Sequence, residues 1–230
     1  MGLTTPPRQT FLVTETPTRE LREDMALGES SASTRRLMTL CGESQEPLEA
    51  TGPTTLLSTR KNITIGTWNV RTMYQAGKTF QIAQEMNNYN LVLLGISEAR
   101  WTQAGQKRLL SGELLLYSGH ENEDAPHTEG VALMLSRDAQ RALIKWEAHG
   151  PRIITASFRT TNEKIKMNVI QCYAPTNISE EEQKEEFYDK LQTILDKYPE
   201  KDATILMGDC NAKVGEVNIS YEEVMGTHGL

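Results

Sequence analysis

Short apolar runs recur between Ile63 and Met207, separated by polar turns or by stretches of helical period. This alternation restricts the chain to a layered α/β or α+β sheet protein. Strands are predicted over Ile63 to Val70, Leu91 to Ser97, Leu114 to Gly119, Gly130 to Ser136, Ala142 to His149, Ile153 to Arg159, Ile165 to Ala174 and Ala203 to Met207. Two helices interrupt them. Phe80, Ala83 and Met86 fall at helical spacing within Thr79 to Asn88. A second helix starts at Ser179, where Ser179 and Glu182 have capping-box spacing. Phe187, Leu191, Ile194, Leu195 and Tyr198 then share one face, and Pro199 ends it. The pattern is too rich in strands for a Rossmann fold. No internal repeat is visible.

Residues 1–60 carry Thr, Ser, Pro, Gly and Glu with few aromatics and no sustained period, and are predicted to be a disordered arm. The folded domain is expected over residues 61–230. A hydrophobic content of 38% in 230 residues is enough for one core. No run reaches the roughly 18 apolar residues of a membrane span, and no apolar signal core follows basic residues at the N-terminus. The expected address is therefore intracellular, nucleus or cytoplasm, with no membrane partner. Three cysteines, Cys41, Cys172 and Cys210, form no CxxC or Cys/His cluster and read as free thiols. The formal charge of −7 argues against a broad basic face for nucleic acid. It argues less against a metal-dependent nuclease, because a divalent cation inverts the field at an acidic site.

Four segments place polar residues at or just beyond the C-terminal end of an apolar strand: Thr67-Trp68-Asn69, Ile96-Ser97-Glu98, Cys172-Tyr173-Ala174-Pro175 and Gly208-Asp209-Cys210-Asn211. Strand ends of this kind can converge on one rim, where ligand sites concentrate. Mg²⁺ takes oxygen ligands and is usually held by one or two carboxylates with water and substrate phosphate, a role that Glu98 fits. Asp209 and Asn211 are two residues apart, face the same way in an extended segment, and can together hold an attacking water or a phosphate oxygen. Asn69 would orient a carboxylate or phosphate, and the Tyr173 hydroxyl could donate to a phosphate oxygen. Each has a plainer reading beside it. Asp209 and Asn211 could form an ordinary turn, Glu98 a solvated strand end, and Tyr173 a packing residue. Trp68 and Trp101 read as core or rim packing, the acidic run from Glu180 to Glu186 as a solvated helix face, and His120, His127 and His149 remain unassigned.

In this order and spacing the segments resemble the endonuclease/exonuclease/phosphatase superfamily. The strings Gly66-Thr67-Trp68-Asn69-Val70-Arg71-Thr72-Met73, Ser97-Glu98-Ala99-Arg100-Trp101 and Met207-Gly208-Asp209-Cys210-Asn211-Ala212 are most similar to non-LTR retrotransposon endonuclease domains and craniofacial development protein 2-like proteins. The resemblance implies a DNase I-like four-layered sandwich, with two packed mixed sheets flanked by helices. It also implies Mg²⁺-dependent (or Mn²⁺-dependent) hydrolysis of a phosphodiester in DNA. Carried over, it gives Glu98 as principal metal ligand supported by Asn69, Tyr173 on phosphate, and Asp209 with Asn211 on the nucleophilic water and the phosphate. Read from the residues alone, Arg71 and Arg100 could touch a nucleic-acid backbone, with ordinary surface charge as the plainer reading. The sequence departs from the family in two places. Arg71 stands where abasic-site endonucleases tend to have an acidic residue, and no Ser-Asp-His segment follows. His228, in Gly226-Thr227-His228-Gly229, does not replace it. The domain is thus expected to be incomplete at the C-terminus, which leaves open a non-catalytic product that binds nucleic acid or protein, or a phosphomonoesterase of the same superfamily.

Overall fold

The structure is a computed structural model and describes residues 63–211 together with the strand Thr10–Thr14. Ten strands form two five-stranded sheets. One runs in the order β2 (Ile65–Asn69), β3 (Leu93–Ser97), β6 (Val131–Leu135), β5 (Leu114–Ser118), β4 (Ala104–Arg108). The other runs β1 (Thr10–Thr14), β10 (Ala203–Asp209), β9 (Lys166–Tyr173), β8 (Ile153–Arg159), β7 (Leu143–Ala148). Both sheets are mixed: β2 with β3, β9 with β10 and β1 with β10 are parallel, and the remaining pairs antiparallel.

Each half contains one parallel pair joined through a helix, because parallel neighbours need a crossover. Helix α1 (Lys78–Asn88) connects β2 to β3, and α3 (Glu181–Asp196) connects β9 to β10. Ile82, Ala83 and Met86 of α1 pack on Leu94 and Ile96 of β3. Phe187, Leu191 and Ile194 of α3 pack on Ile170 and Cys172 of β9. Side chains alternate across a strand, so the odd-numbered residues of β3, β9 and β10 face the other way. Leu93, Met167, Val169 and Met207 meet Leu133, Ile154 and Phe158 between the sheets. The result is helix, sheet, sheet, helix, the four-layered sandwich expected of the sequence.

The predicted strands are all present. Several local features differ from expectation. Phe80 is 56% exposed, and the buried face of α1 is set by Ile82, Ala83 and Met86 instead. The capping box is not formed: Glu180 is the N-cap of α3 without a side-chain cap bond, and the Ser179 hydroxyl pairs with that of Thr176. Two elements were not anticipated, the polar edge strand β4 and the short helix α2 (Arg137–Ala142), capped by Ser136 accepting from the Ala139 N–H at 3.3 Å. Within the stretch read as an arm, Thr10–Thr14 pairs with β10 as β1. Cys41 and His228 lie outside the described residues. Among the described residues no helix is long and apolar enough to cross a membrane.

Phe158 is fully buried between the sheets, whereas Phe80 faces solvent. Urea denaturation should therefore show Phe158→Ala losing about 3–5 kcal/mol, with Phe80→Ala staying within about 0.5 kcal/mol of the parent.

Candidate active site

Parallel pairing places the C-terminal ends of β2 and β3 side by side, with Asn69 opposite Ser97, and does the same for β9 and β10, with Tyr173 opposite Asp209. Because Thr67, Asn69, Gln171, Tyr173 and Asp209 share the parity that faces the other sheet, the two pairs of ends close on each other at one rim. The predicted site residues meet there. The Asn69 amide Nδ2 donates to Glu98 Oε1 at 2.7 Å and to Asp209 Oδ2 at 3.2 Å. The Tyr173 hydroxyl donates to Glu98 Oε1 at 3.3 Å. Arg100 Nη2 pairs with Glu98 Oε2 at 3.2 Å, and the Asn211 N–H donates to Asp209 Oδ1 at 3.2 Å.

The backbone around these side chains is held in a costly conformation. Among the described residues, six non-glycine residues have positive φ, and four of them are Arg71, Glu98, Arg100 and Asn211. Left-handed backbone at non-glycine positions costs of order 1–3 kcal/mol each and concentrates where function requires it. At Glu98 (φ 55°) and Arg100 (φ 59°) it turns the segment after β3 so that both side chains return to the rim. Asn211 (φ 45°) departs from the extended geometry expected of it. Its Nδ2 donates to the Ala174 carbonyl at 2.8 Å, so the residue anchors the end of β10 to the end of β9 and holds Asp209 through its N–H. Gly208 (φ 136°) has to be glycine, since a Cβ there would sit 1.9 Å from the Cys172 carbonyl oxygen.

Arg71 is exposed, and its N–H donates to Asn69 Oδ1 at 3.0 Å. Its side chain is thus not drawn into the cluster, unlike that of Arg100. Arg100 Nε is buried and lacks a hydrogen-bond partner among the described residues. Sequence reasoning missed Arg152 and Glu129. Arg152 lies over the Tyr173 ring, with 5.3 Å from guanidinium carbon to centroid, and donates to the Tyr173 carbonyl at 3.2 Å and to Glu129 at 2.6 Å. It also missed Gln171, buried between the sheets directly below the rim. Gln171 Oε1 accepts from Thr67 at 3.2 Å and its Nε2 donates to Ser97 Oγ at 3.0 Å. A polar residue in the middle of an apolar strand was the available signal for Gln171. Arg152, in the turn before β8, had none. Cys172 and Cys210 are not joined in a disulfide. A hydrogen bond with Cys210 and burial push the Cys172 thiol above its ordinary range.

No family model matches the chain. Craniofacial development protein 2 from Tragulus javanicus and from Bos taurus is 37% identical to it over 166 residues, which is 72% of this chain and 27% and 26% of theirs. The chain thus spans about a quarter of the length of these curated relatives. It is similar to part of craniofacial development protein 2, and its two-sheet sandwich brings the four ordered segments together at one rim. Solved structures similar to it include the abasic-site endonuclease LMAP from Leishmania major, at a TM-score of 0.49 and 13% identity over 64% of this chain and 54% of that one. The endonuclease domain of TRAS1, a telomere-specific non-LTR retrotransposon, has a TM-score of 0.45 and 16% identity over 66% and 61%.

At the rim, burial, the neighbouring Glu98 charge and the hydrogen bond to Glu98 raise the Tyr173 hydroxyl above its ordinary pKa of 10.0. The folded state therefore holds this proton more tightly than the unfolded chain does. The stability it contributes is present below pH 10.0 and lost as pH rises beyond it. An ultraviolet difference titration of parent against Tyr173→Phe should show one late-ionising tyrosine, and Glu98→Gln should bring its midpoint part of the way back. A midpoint at the ordinary value would disprove the Tyr173–Glu98 coupling.

Proposed function

We propose that this domain hydrolyses phosphodiester bonds in DNA, with Mg²⁺ or Mn²⁺ held at Glu98. The observation that carries this reading is one asparagine amide bonded to two carboxylates, Glu98 and Asp209, that come from different sheets. The two carboxylates are hard oxygen donors, the chemistry such a cation selects. When bound, the ion would polarise the phosphate and neutralise charge developing in the transition state. Glu98, with Asn69 beside it, is the group that would hold it.

The remaining work falls to residues of the chain. Asp209 has one oxygen fixed by Asn69 and the other by the Asn211 N–H, so its carboxylate is oriented to accept a proton from a water molecule. That water's oxygen bonds to phosphorus as the bond from phosphorus to the leaving strand oxygen breaks. The Tyr173 hydroxyl, protonated at neutral pH, donates to a non-bridging phosphate oxygen. Arg100, already at Glu98, brings positive charge to the same place, and exposed Arg71 can meet a flanking phosphate.

Plasmid nicking by the purified chain tests the reading. Nicking should require Mg²⁺ or Mn²⁺, stop with EDTA, and fall by roughly 100-fold or more in Glu98→Gln and in Asp209→Asn. Tyr173→Phe should lose on the order of 10- to 100-fold. Folded parent protein that does not nick in either metal would favour a domain that binds without cleaving, and release of inorganic phosphate from a monoester would redirect the substrate.

A further inference from the structure

Beside the rim lies a second feature that the proposed chemistry does not use. A solvent-open cavity of about 320 Å³ is lined by Met73, Tyr74, Trp101, Thr102 and Tyr117. Its walls grow from the same strand ends as the site. The segment after β2, carrying Met73 and Tyr74, runs beside the segment after β3, with the Met73 N–H bonded to the Ala99 carbonyl at 3.0 Å. Trp101 follows Arg100 directly and meets Tyr117 edge to face, with centroids 5.0 Å apart. Tyr74 is 62% exposed, yet its ring is not loose. It lies on His127, centroids 4.5 Å apart, and its hydroxyl is 3.3 Å from His127 Nε2, while His127 Nδ1 is 3.1 Å from the Arg100 carbonyl.

An exposed tyrosine held by a second ring shares this cavity with an indole, and two guanidinium side chains, Arg100 and Arg71, stand one residue before Trp101 and two before Met73. A free-standing apolar ligand would have no use for those charges. We propose that this cavity receives one unpaired nucleobase of the strand whose phosphate lies at Glu98 and Asp209. The base stacks against Tyr74 and Trp101, and the chain's backbone phosphates reach Arg100 and Arg71. The proposal rests on the phosphodiester reading above and adds a preference for strands with an unstacked base beside the scissile bond. Stacking of this type tolerates any base identity, because every base has a π-face. At about 320 Å³ the cavity falls at the small end of ligand sites, roughly 300–1,000 Å³, which suits one ring system and not a duplex.

The test is binding to the full chain by fluorescence anisotropy, with Ca²⁺ as the probe metal. The ligands are a single-stranded oligothymidylate and an abasic strand with the same number of phosphates. The expected result is roughly 5- to 100-fold tighter binding of the base-bearing strand. Tyr74→Ala should abolish that preference, and Tyr74→Phe, which keeps the ring, should retain it. Because Tyr74 is exposed, its loss should leave folding intact, checked by circular dichroism. Equal binding of both strands by the parent, or an undiminished preference in Tyr74→Ala, would overturn the base pocket while leaving the phosphate site standing. Binding of neither strand would overturn both.

Discussion

Glu98 and Asp209 repel each other, and what keeps them close is a neutral amide placed between them. The two protons on Asn69 Nδ2 go one to each carboxylate, and the other face of the amide is fixed because Oδ1 accepts the Arg71 N–H. That backbone contact settles which end of the amide is nitrogen, an assignment that otherwise has to be argued. Reversal would place an oxygen against two carboxylates and an NH₂ against an N–H. Arg100 and the Tyr173 hydroxyl add compensation at Glu98, and the Asn211 N–H does so at Asp209. Every other property of the rim follows from this arrangement. An acidic side chain at position 69 would turn a compensated pair into three mutually repelling charges.

Such an arrangement needs the two sheets to stay in one register, and an apolar interior does this poorly, since Leu, Ile and Val faces slide at little cost. Just below the rim the interior stops being apolar. Gln171 from one sheet is bonded to Thr67 and Ser97 of the other, and all three are buried. Gly95 makes this possible, because a Cβ there would sit 1.9 Å from Gln171 Oε1. A satisfied polar network of this kind specifies a single alignment, and sliding would leave several donors unpaired at about 1–3 kcal/mol each. The register of the sandwich is therefore fixed one layer beneath the residues that depend on it.

The parts of this design legible in the sequence are those in which a residue's chemistry and its strand position coincide. Asn69, Glu98, Tyr173 and Asp209 each follow an apolar run, so the ends of strands could be read as one rim before any contact was known. Strand β4 was hidden because Ala104–Arg108 is a solvent-facing edge whose polar and charged residues guard against strand addition and carry no apolar period. Helix α2 is too short for its period to register. Phe80 shows the limit of spacing arguments: 80, 83 and 86 lie within one arc, but the sheet sits under the neighbouring arc of 82, 83 and 86. Asn211 misled for a different reason, since same-side reasoning assumes extended backbone and this residue is left-handed. Arg152 and Glu129 act through distances that no single-sequence pattern encodes.

The net charge of −7 looks wrong for the proposed phosphodiester chemistry until the rim is considered group by group. Arg100 is paired with Glu98, and Arg152 with Glu129. Positive charge is thus present but locally matched, so it creates little long-range field and few condensed counterions would be displaced by docking. On the proposed reading, recognition built this way would be short-ranged and depend on fit at the rim. Such a surface would not retain duplex nucleic acid indiscriminately, and it would leave the discriminating contacts to the few side chains that touch both the phosphate and its immediate neighbour.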